Sequence, residues 1–324
     1  MYNKYSKASF IDKLNKAKTE VQRLKLAIAT VLTITLLSAC TDNKEFTPPS
    51  FIHVDGISIV ASSSSGIGHG DAGFYTSDIV AAYVLAHYPG EMTLDTIGLF
   101  RLPFTVPVMY SGAVDYIEFY PAVPHSGESM ALPFYTFYNK IRISDTVLRS
   151  GDTLNFGSLT TVYNPQTDIP MLYEPFEPTE ADVKTDSVVE WVRHDRDGAC
   201  VGEGYGRVKV KADQSSVPFA IDHTFRLFDR TKICYLEIDI KSTVYTEVLM
   251  HAAYTDGGSE SANSVMRIYP QDEWQHLYIN LGRTWAYFNH PTSFRLSFAA
   301  LNENGVEGEV LIDNIKVLST SVVL

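Results

Sequence analysis

Cys234-Tyr235-Leu236-Glu237-Ile238-Asp239-Ile240-Lys241 alternates apolar and more polar side chains without a break. That is period two, the mark of a half-buried β-strand, because successive side chains leave a strand on opposite faces. Segments of similar kind recur around it at residues 188–192, 202–210, 244–254, 274–281, 294–300 and 309–318. Strands of this length at fairly regular spacing predict a jelly-roll β-sandwich over residues 181–324.

Upstream the pattern is again β. Residues 51–60 alternate loosely, and Val80, Ala82, Val84 and Ala86 alternate with Ala81, Tyr83, Leu85 and His87. Residues 97–107 contain Pro103 and Pro107, which confine them to a bent or edge strand, since proline cannot donate to a ladder. Residues 116–121 form another short strand, and residues 132–143 are rich in aromatics. Residues 51–164 are therefore expected to form a small antiparallel β-sandwich. Pro165, Pro170, Pro175 and Pro178 mark a linker at residues 165–180. The chain reads as all-β. One competing reading places a helix at residues 78–88, after the glycine-rich residues 66–73, and so mimics a nucleotide-binding turn. No Gly-Lys-Ser/Thr occurs there and no strand–helix alternation follows, so a mobile loop is the preferred reading.

The N-terminus carries an address. Lys4, Lys7, Lys13, Lys16, Lys18, Arg23 and Lys25 precede an uncharged run from Leu26 to Leu37, and Leu37-Ser38-Ala39-Cys40 follows. The run fits a signal h-region and is too short for a spanning helix of about 20 residues. It resembles a bacterial lipobox. The resemblance implies a signal peptide over residues 1–39, acylation of Cys40, and firm membrane attachment by the lipid chains. The alternative is a retained anchor helix with an ordinary cysteine. Residues 40–50, polar and then proline-stiffened, form an extended tether. Their acidic character resembles the surface-export signal of Bacteroidota lipoproteins, which implies an outer-membrane protein facing the cell surface.

The net charge is −12, and about −17 without residues 1–39. Such a chain repels phosphate backbones, which excludes nucleic acid as a partner. It also argues against a basic patch on anionic lipid. Cys200 and Cys234 are left either as a disulfide or as two buried thiols.

Four segments carry a second resemblance: Tyr173-Glu174-Pro175-Phe176-Glu177, Gly202-Glu203-Gly204-Tyr205-Gly206, Glu273-Trp274-Gln275-His276-Leu277-Tyr278-Ile279, and Leu311-Ile312-Asp313-Asn314-Ile315-Lys316-Val317. Together they resemble a galactose-binding-like jelly roll, the shape of many carbohydrate-binding modules. The whole order resembles uncharacterised Bacteroidota surface lipoproteins. The resemblance implies that Glu177 and Asp313 are candidate ligands of a structural Ca²⁺, whose oxygen shell backbone carbonyls would have to complete; the alternative is that Asp313 caps a turn or orders the last strand. No other cofactor is expected. Trp274, Trp285, Tyr287 and Tyr254 are candidate sugar-stacking residues, with core packing as their alternative.

No His-x₃-His, Cys-x₂-Cys, His-Glu-x₂-His or Gly-x-Ser-x-Gly occurs. His194-Asp195-Arg196-Asp197 reads as a hydrophilic loop. The expectation is a non-catalytic accessory or interaction subunit of an envelope complex. Cell-surface glycan capture through the jelly-roll aromatics is the alternative.

Overall fold

The computed structural model describes residues 47–61, 72–127, 132–165, 172–178, 187–225, 233–254, 260–289 and 291–319, with residues 16, 18–26 and 28. Met1–Pro48 and Pro49–Leu324 are two compact units. In the first, residues 18–26 are an exposed helix. No described helix is long and apolar enough to cross a membrane. Cys40 and nearly all of the apolar run before it lie outside the described residues.

The second unit is a succession of strands. Its first half holds β1 (Ser50–Val54), β2 (Gly56–Ile59), β3 (Ala81–His87), β4 (Asp95–Arg101), β5 (Phe104–Val108), β6 (Gly112–Ala122), β7 (Ile141–Leu148), β8 (Thr153–Asn155) and β9 (Ser158–Thr161). Its second half holds β10 (Leu172–Glu174), β11 (Glu190–Arg193), β12 (Gly204–Val210), β13 (Ser216–Phe225), β14 (Cys234–Ser242), β15 (Tyr245–Ala253), β16 (Ser261–Ile268), β17 (Gln271–Asn280), β18 (Ser293–Leu301) and β19 (Gly308–Ser319). Short helical turns occur at Ala72–Tyr75 and Gly282–Trp285.

In the first half, a four-stranded antiparallel sheet, β4-β3-β6-β7, accompanies β5-β1-β8 and the pair β2-β9. Ala82, Val84 and Ala86 of β3 enter the core. Period two thus wins over the helical reading of residues 78–88, where Ala81–His87 form a strand and not a helix that could meet a phosphate. The β1–β8 and β2–β9 pairings are parallel. Pro103 falls between two edge strands, β4 and β5, and Pro107 lies in β5, where its missing N–H costs least. Residues 132–140 make only isolated bridges, yet Tyr135, Phe137 and Tyr138 are buried. Their aromatic content therefore fills space between elements rather than lining a strand.

In the second half, β11-β12-β19-β14-β17, with β10 also on β19, faces the sheet β13-β18-β15-β16. Leu236, Ile238 and Ile240 of β14 meet Val248, Met250, Leu296 and Phe298 in one core. The sandwich is all-β, as the alternation predicts. Its two sheets differ on their outer faces. β13, β15 and β18 alternate buried with partly exposed residues, so one side faces water. β14 and β19 are buried on both sides over most of their length. The other side of their sheet packs on the first half: Tyr235, Tyr278 and Leu318 join the core of Phe74, Tyr135, Tyr138 and Tyr163.

A bulge in β19 makes this double burial work. Glu237 pairs with Lys316, but Asp239 pairs with Asp313, so β19 carries one extra residue. Asn314 there has φ 47°, in the left-handed region. Val310 and Ile312 point into the sandwich core before the bulge, Ile315 and Val317 after it. The extra residue follows Asp313, which still pairs with Asp239, and it resets the parity of the strand.

Candidate functional site

The open face of β13-β18-β15-β16 is the only broad sheet face of the second half left to solvent among the described residues. Register sets its side chains: Tyr245 opposite Leu301, Glu247 opposite Ala299, Leu249 opposite Ser297, and His251 opposite Arg295. At one end Arg295 is fixed by Glu260 through two hydrogen bonds, Nε to Oε1 at 2.7 Å and Nη2 to Oε2 at 2.8 Å. This two-pronged geometry holds a guanidinium plane rigid. His251 Nε2 lies 2.6 Å from Ser297 Oγ, and Nδ1 lies 3.7 Å from Glu260 Oε2. Burial, then Arg295, holds the His251 imidazole below its usual range against the pull of Glu260. The Arg295 hydrogen bonds hold Glu260 below the ordinary carboxylate range.

At the other end the Arg267 guanidinium sits 4.1 Å over the Tyr245 ring. Tyr269 meets Tyr245 edge-on at 5.4 Å and is 69 % exposed. Arg267 is itself paired with Glu303. The face thus offers flat rings at one end and oriented polar groups at the other. It can stack on a ring and hydrogen-bond to hydroxyls. Ser297 Oγ and His251 Nε2 also stand within the reach of a nucleophile and its base, with Glu260 near the other ring nitrogen.

The covered sheet carries charge of a different kind. Lys316 has no exposed surface. Its ammonium donates to the Phe74 carbonyl at 2.9 Å and the Tyr163 hydroxyl at 3.0 Å, and lies 2.7 Å from Glu237 Oε2. Tyr135 and Tyr163 donate to the Glu237 carboxylate at 2.7 and 3.0 Å. His276 Nδ1 lies 2.7 Å from Asp239 Oδ1, and Asn314 Nδ2 donates to Asp239 Oδ2 at 2.8 Å. Burial opposes charge on Glu237, yet Lys316 and His276 outweigh it and hold its carboxyl low. Asp239 behaves alike through His276. Burial, with Glu237 next, pushes the Tyr135, Tyr138 and Tyr163 hydroxyls well up. The cluster joins the two halves and has no surface on which a substrate could sit.

The four aromatics expected to stack on sugar do not share a face. Trp274 lies on β17 of the covered sheet, donates from Nε1 to the Gly198 carbonyl at 3.1 Å and meets Tyr205 edge-on, so it pins the loop after β11. Trp285 is only 4 % exposed and packs edge-on against Phe294. It belongs to the core, which corrects its reading as a contact residue. Tyr254 is partly buried, with its hydroxyl 3.1 Å from Ser261 Oγ. Tyr287 alone is broadly exposed. Tyr245, Tyr269, Arg295 and Glu260 were missed. The alternation of β15 placed Tyr245 on a polar face, but no local signal says which polar face stays open.

Glu177 accepts the Glu203 backbone N–H at 3.1 and 3.3 Å. Asp313 is buried; its Oδ1 accepts the Asn314 N–H at 2.8 Å, and its Oδ2 has no hydrogen-bond partner. Burial, then repulsion from Asp239, pushes its carboxyl well up, and Glu177 adds to this. Among the described residues no group of three or more His, Cys, Asp or Glu side chains is arranged to hold a metal. Cys200 and Cys234 are free thiols. Burial raises both, and Asp239 and Asp313 raise Cys200 further.

No family model and no curated protein matches the chain. Solved β-sandwiches do. A family 61 carbohydrate-binding module in complex with beta-1,4-galactotriose is 14% identical, with TM-score 0.30, over 46% of this chain and 98% of the other. A family 29 module complexed with cellulohexaose is 16% identical, TM-score 0.28, over 48% and 94%. The family 11 module of a cellulosomal cellulase of Clostridium thermocellum is 14% identical, TM-score 0.31, over 45% and 94%.

Proposed function

We propose that this chain is a non-catalytic glycan-binding protein, and that the open face of β13-β18-β15-β16 is its binding surface. One observation carries the reading: of the two outer faces of the second sandwich, one is sealed by the first half of the unit. The other presents Tyr245 and Tyr269 at one end and an arginine locked by Glu260 at the other. Pyranose rings offer flat C–H surfaces to such aromatics and hydroxyls to such fixed donors and acceptors. Lipid on Cys40 would hold the protein at the outer membrane, facing the cell surface, as the lipobox resemblance implies. A structural Ca²⁺ at Glu177 and Asp313 fits the unpaired Asp313 Oδ2. A protein partner in the envelope is the second reading, favoured by Met92 and Met109, which stand exposed in the first half.

Affinity electrophoresis through neutral β-glucans, galactans and mannans tests the main reading. Retardation by at least one of them, lost in Tyr269→Ala and in Arg295→Met, is the expected result. No retardation by any, or retardation that both variants keep, refutes it. Mass spectrometry of the membrane-extracted chain tests the anchor: an acylated Cys40 at the N-terminus is expected, and an unmodified Cys40 preceded by residues 1–39 refutes it.

A further inference from the structure

A second open face lies on the other half of the unit, on β4-β3-β6-β7. Its inner side holds Ala82, Val84, Ile117 and Phe119 in the core. None of the strands from β10 onward makes an extended contact with β3, β6 or β7. On the outer side His87 stacks on Tyr116, with centroids 4.9 Å apart and planes 11° apart. The Arg142 guanidinium lies 4.0 Å over the Tyr116 ring. Tyr83 and Tyr120 are cross-strand partners, and each meets Phe134 edge-on, at 6.2 and 6.1 Å. Phe134 is 49 % exposed.

Between these ring groups sits Glu118, fully buried. It accepts from Arg142 Nε and Nη2 at 2.8 and 2.6 Å and from the Tyr120 hydroxyl at 2.8 Å, and Lys140 Nζ lies 2.8 Å away. His87 is paired with Asp115 at 2.9 Å. Two exposed cations therefore share one buried carboxylate beside flat rings, with the Asp115 carboxylate held on His87 at the far side of the Tyr116 ring. Burial of Glu118 is outweighed by the Lys140, Tyr120 and Arg142 hydrogen bonds, which keep its carboxyl ionised and the cations in place.

We propose that this face binds a glycan bearing isolated carboxylates, a uronic-acid-containing chain. A sugar ring lies against Phe134, and its carboxylate is taken by the outward N–H groups of Lys140 and Arg142. A dense phosphate polyanion is disfavoured by the charge of the whole chain, whereas a single carboxylate on a neutral ring is not. The site is independent of the β13-β18-β15-β16 face.

The test is calorimetry on the full chain with tri-galacturonate and a glucuronate-bearing xylo-oligosaccharide, each against its carboxyl-reduced counterpart. The acid form of at least one binds, and carboxyl reduction weakens it about tenfold. Phe134→Ala weakens binding about tenfold and Lys140→Gln about fivefold, while Tyr269→Ala leaves it unchanged. Equal binding of acid and reduced forms overturns the proposal, as does no binding at millimolar concentration, or loss in Tyr269→Ala. Binding that Phe134→Ala does not change also overturns it. Thermal unfolding of each variant confirms the fold, and Phe134→Ala, which removes no ion-pair partner, decides if Lys140→Gln loosens the sheet.

Discussion

Replacing Lys316 by Met removes the charge that lets Glu237 stay ionised inside the protein. The ammonium reaches the Phe74 carbonyl, the Tyr163 hydroxyl and Glu237 Oε2, all within 3.0 Å. Truncating one partner of a buried ion pair costs about 3–5 kcal/mol, because the other charge is left without its counterion. Tyr135, Tyr163 and His276 still face Glu237, so about 4 kcal/mol is expected. In thermal unfolding that is a fall in Tm of about 10 °C for a unit of this size. The double variant Lys316→Met/Glu237→Gln recovers most of it, leaving about 1–2 kcal/mol.

The pH dependence gives a second, independent readout. In the native chain Glu237 is held below its unfolded range. Its contribution is therefore complete above the unfolded carboxylate pKa of about 4.3 and lost as pH falls through the lower folded value. Without Lys316 burial dominates, and the orphaned carboxyl takes up a proton at higher pH than in the native chain. The stability gap between variant and wild type is then widest near pH 8 and shrinks toward pH 5.5. Urea unfolding at both values measures it. A gap under about 1 kcal/mol, or one equal at both pH values, refutes the reasoning.

Two further outcomes follow from the same interior. Asp313 is raised by burial, so its stabilising protonated form is lost as pH rises through the folded pKa; Asp313→Asn should stabilise the chain by about 1–2 kcal/mol at pH 7.5 and converge with it near pH 4. Added Ca²⁺ should raise the Tm of the wild type but not of Asp313→Asn; a shift in neither removes the cation from the proposal. Gly202 has φ 86°, a left-handed conformation that an L side chain rarely adopts, and an added Cβ would also displace the Glu177 carboxylate. Gly202→Ala should therefore cost about 1–3 kcal/mol in denaturant unfolding, and a neutral result would show that the loop before β12 relaxes freely.

Sequence alone marked many of the strands and much of their burial, but not β8, β9, β13 or β16, nor β10, which falls in the proline-rich stretch read as a linker. Alternation at 234–241 names β14, and Pro103 and Pro107 mark a bent or edge segment, which the structure divides into β4 and β5. Those signals are local, because side-chain parity is a property of the strand itself. Tertiary structure alone decided what the polar half of each alternation meets. Glu237, Asp239 and Lys316 read as solvent-facing, yet they are sealed by Phe74, Tyr135 and Tyr163, and Lys316 bonds a carbonyl 242 residues away. Tyr245 reads the same way and stays on the open face. Period two distinguishes the two sides of a strand but not which of them another sheet will cover, since that depends on how the two halves of the chain dock.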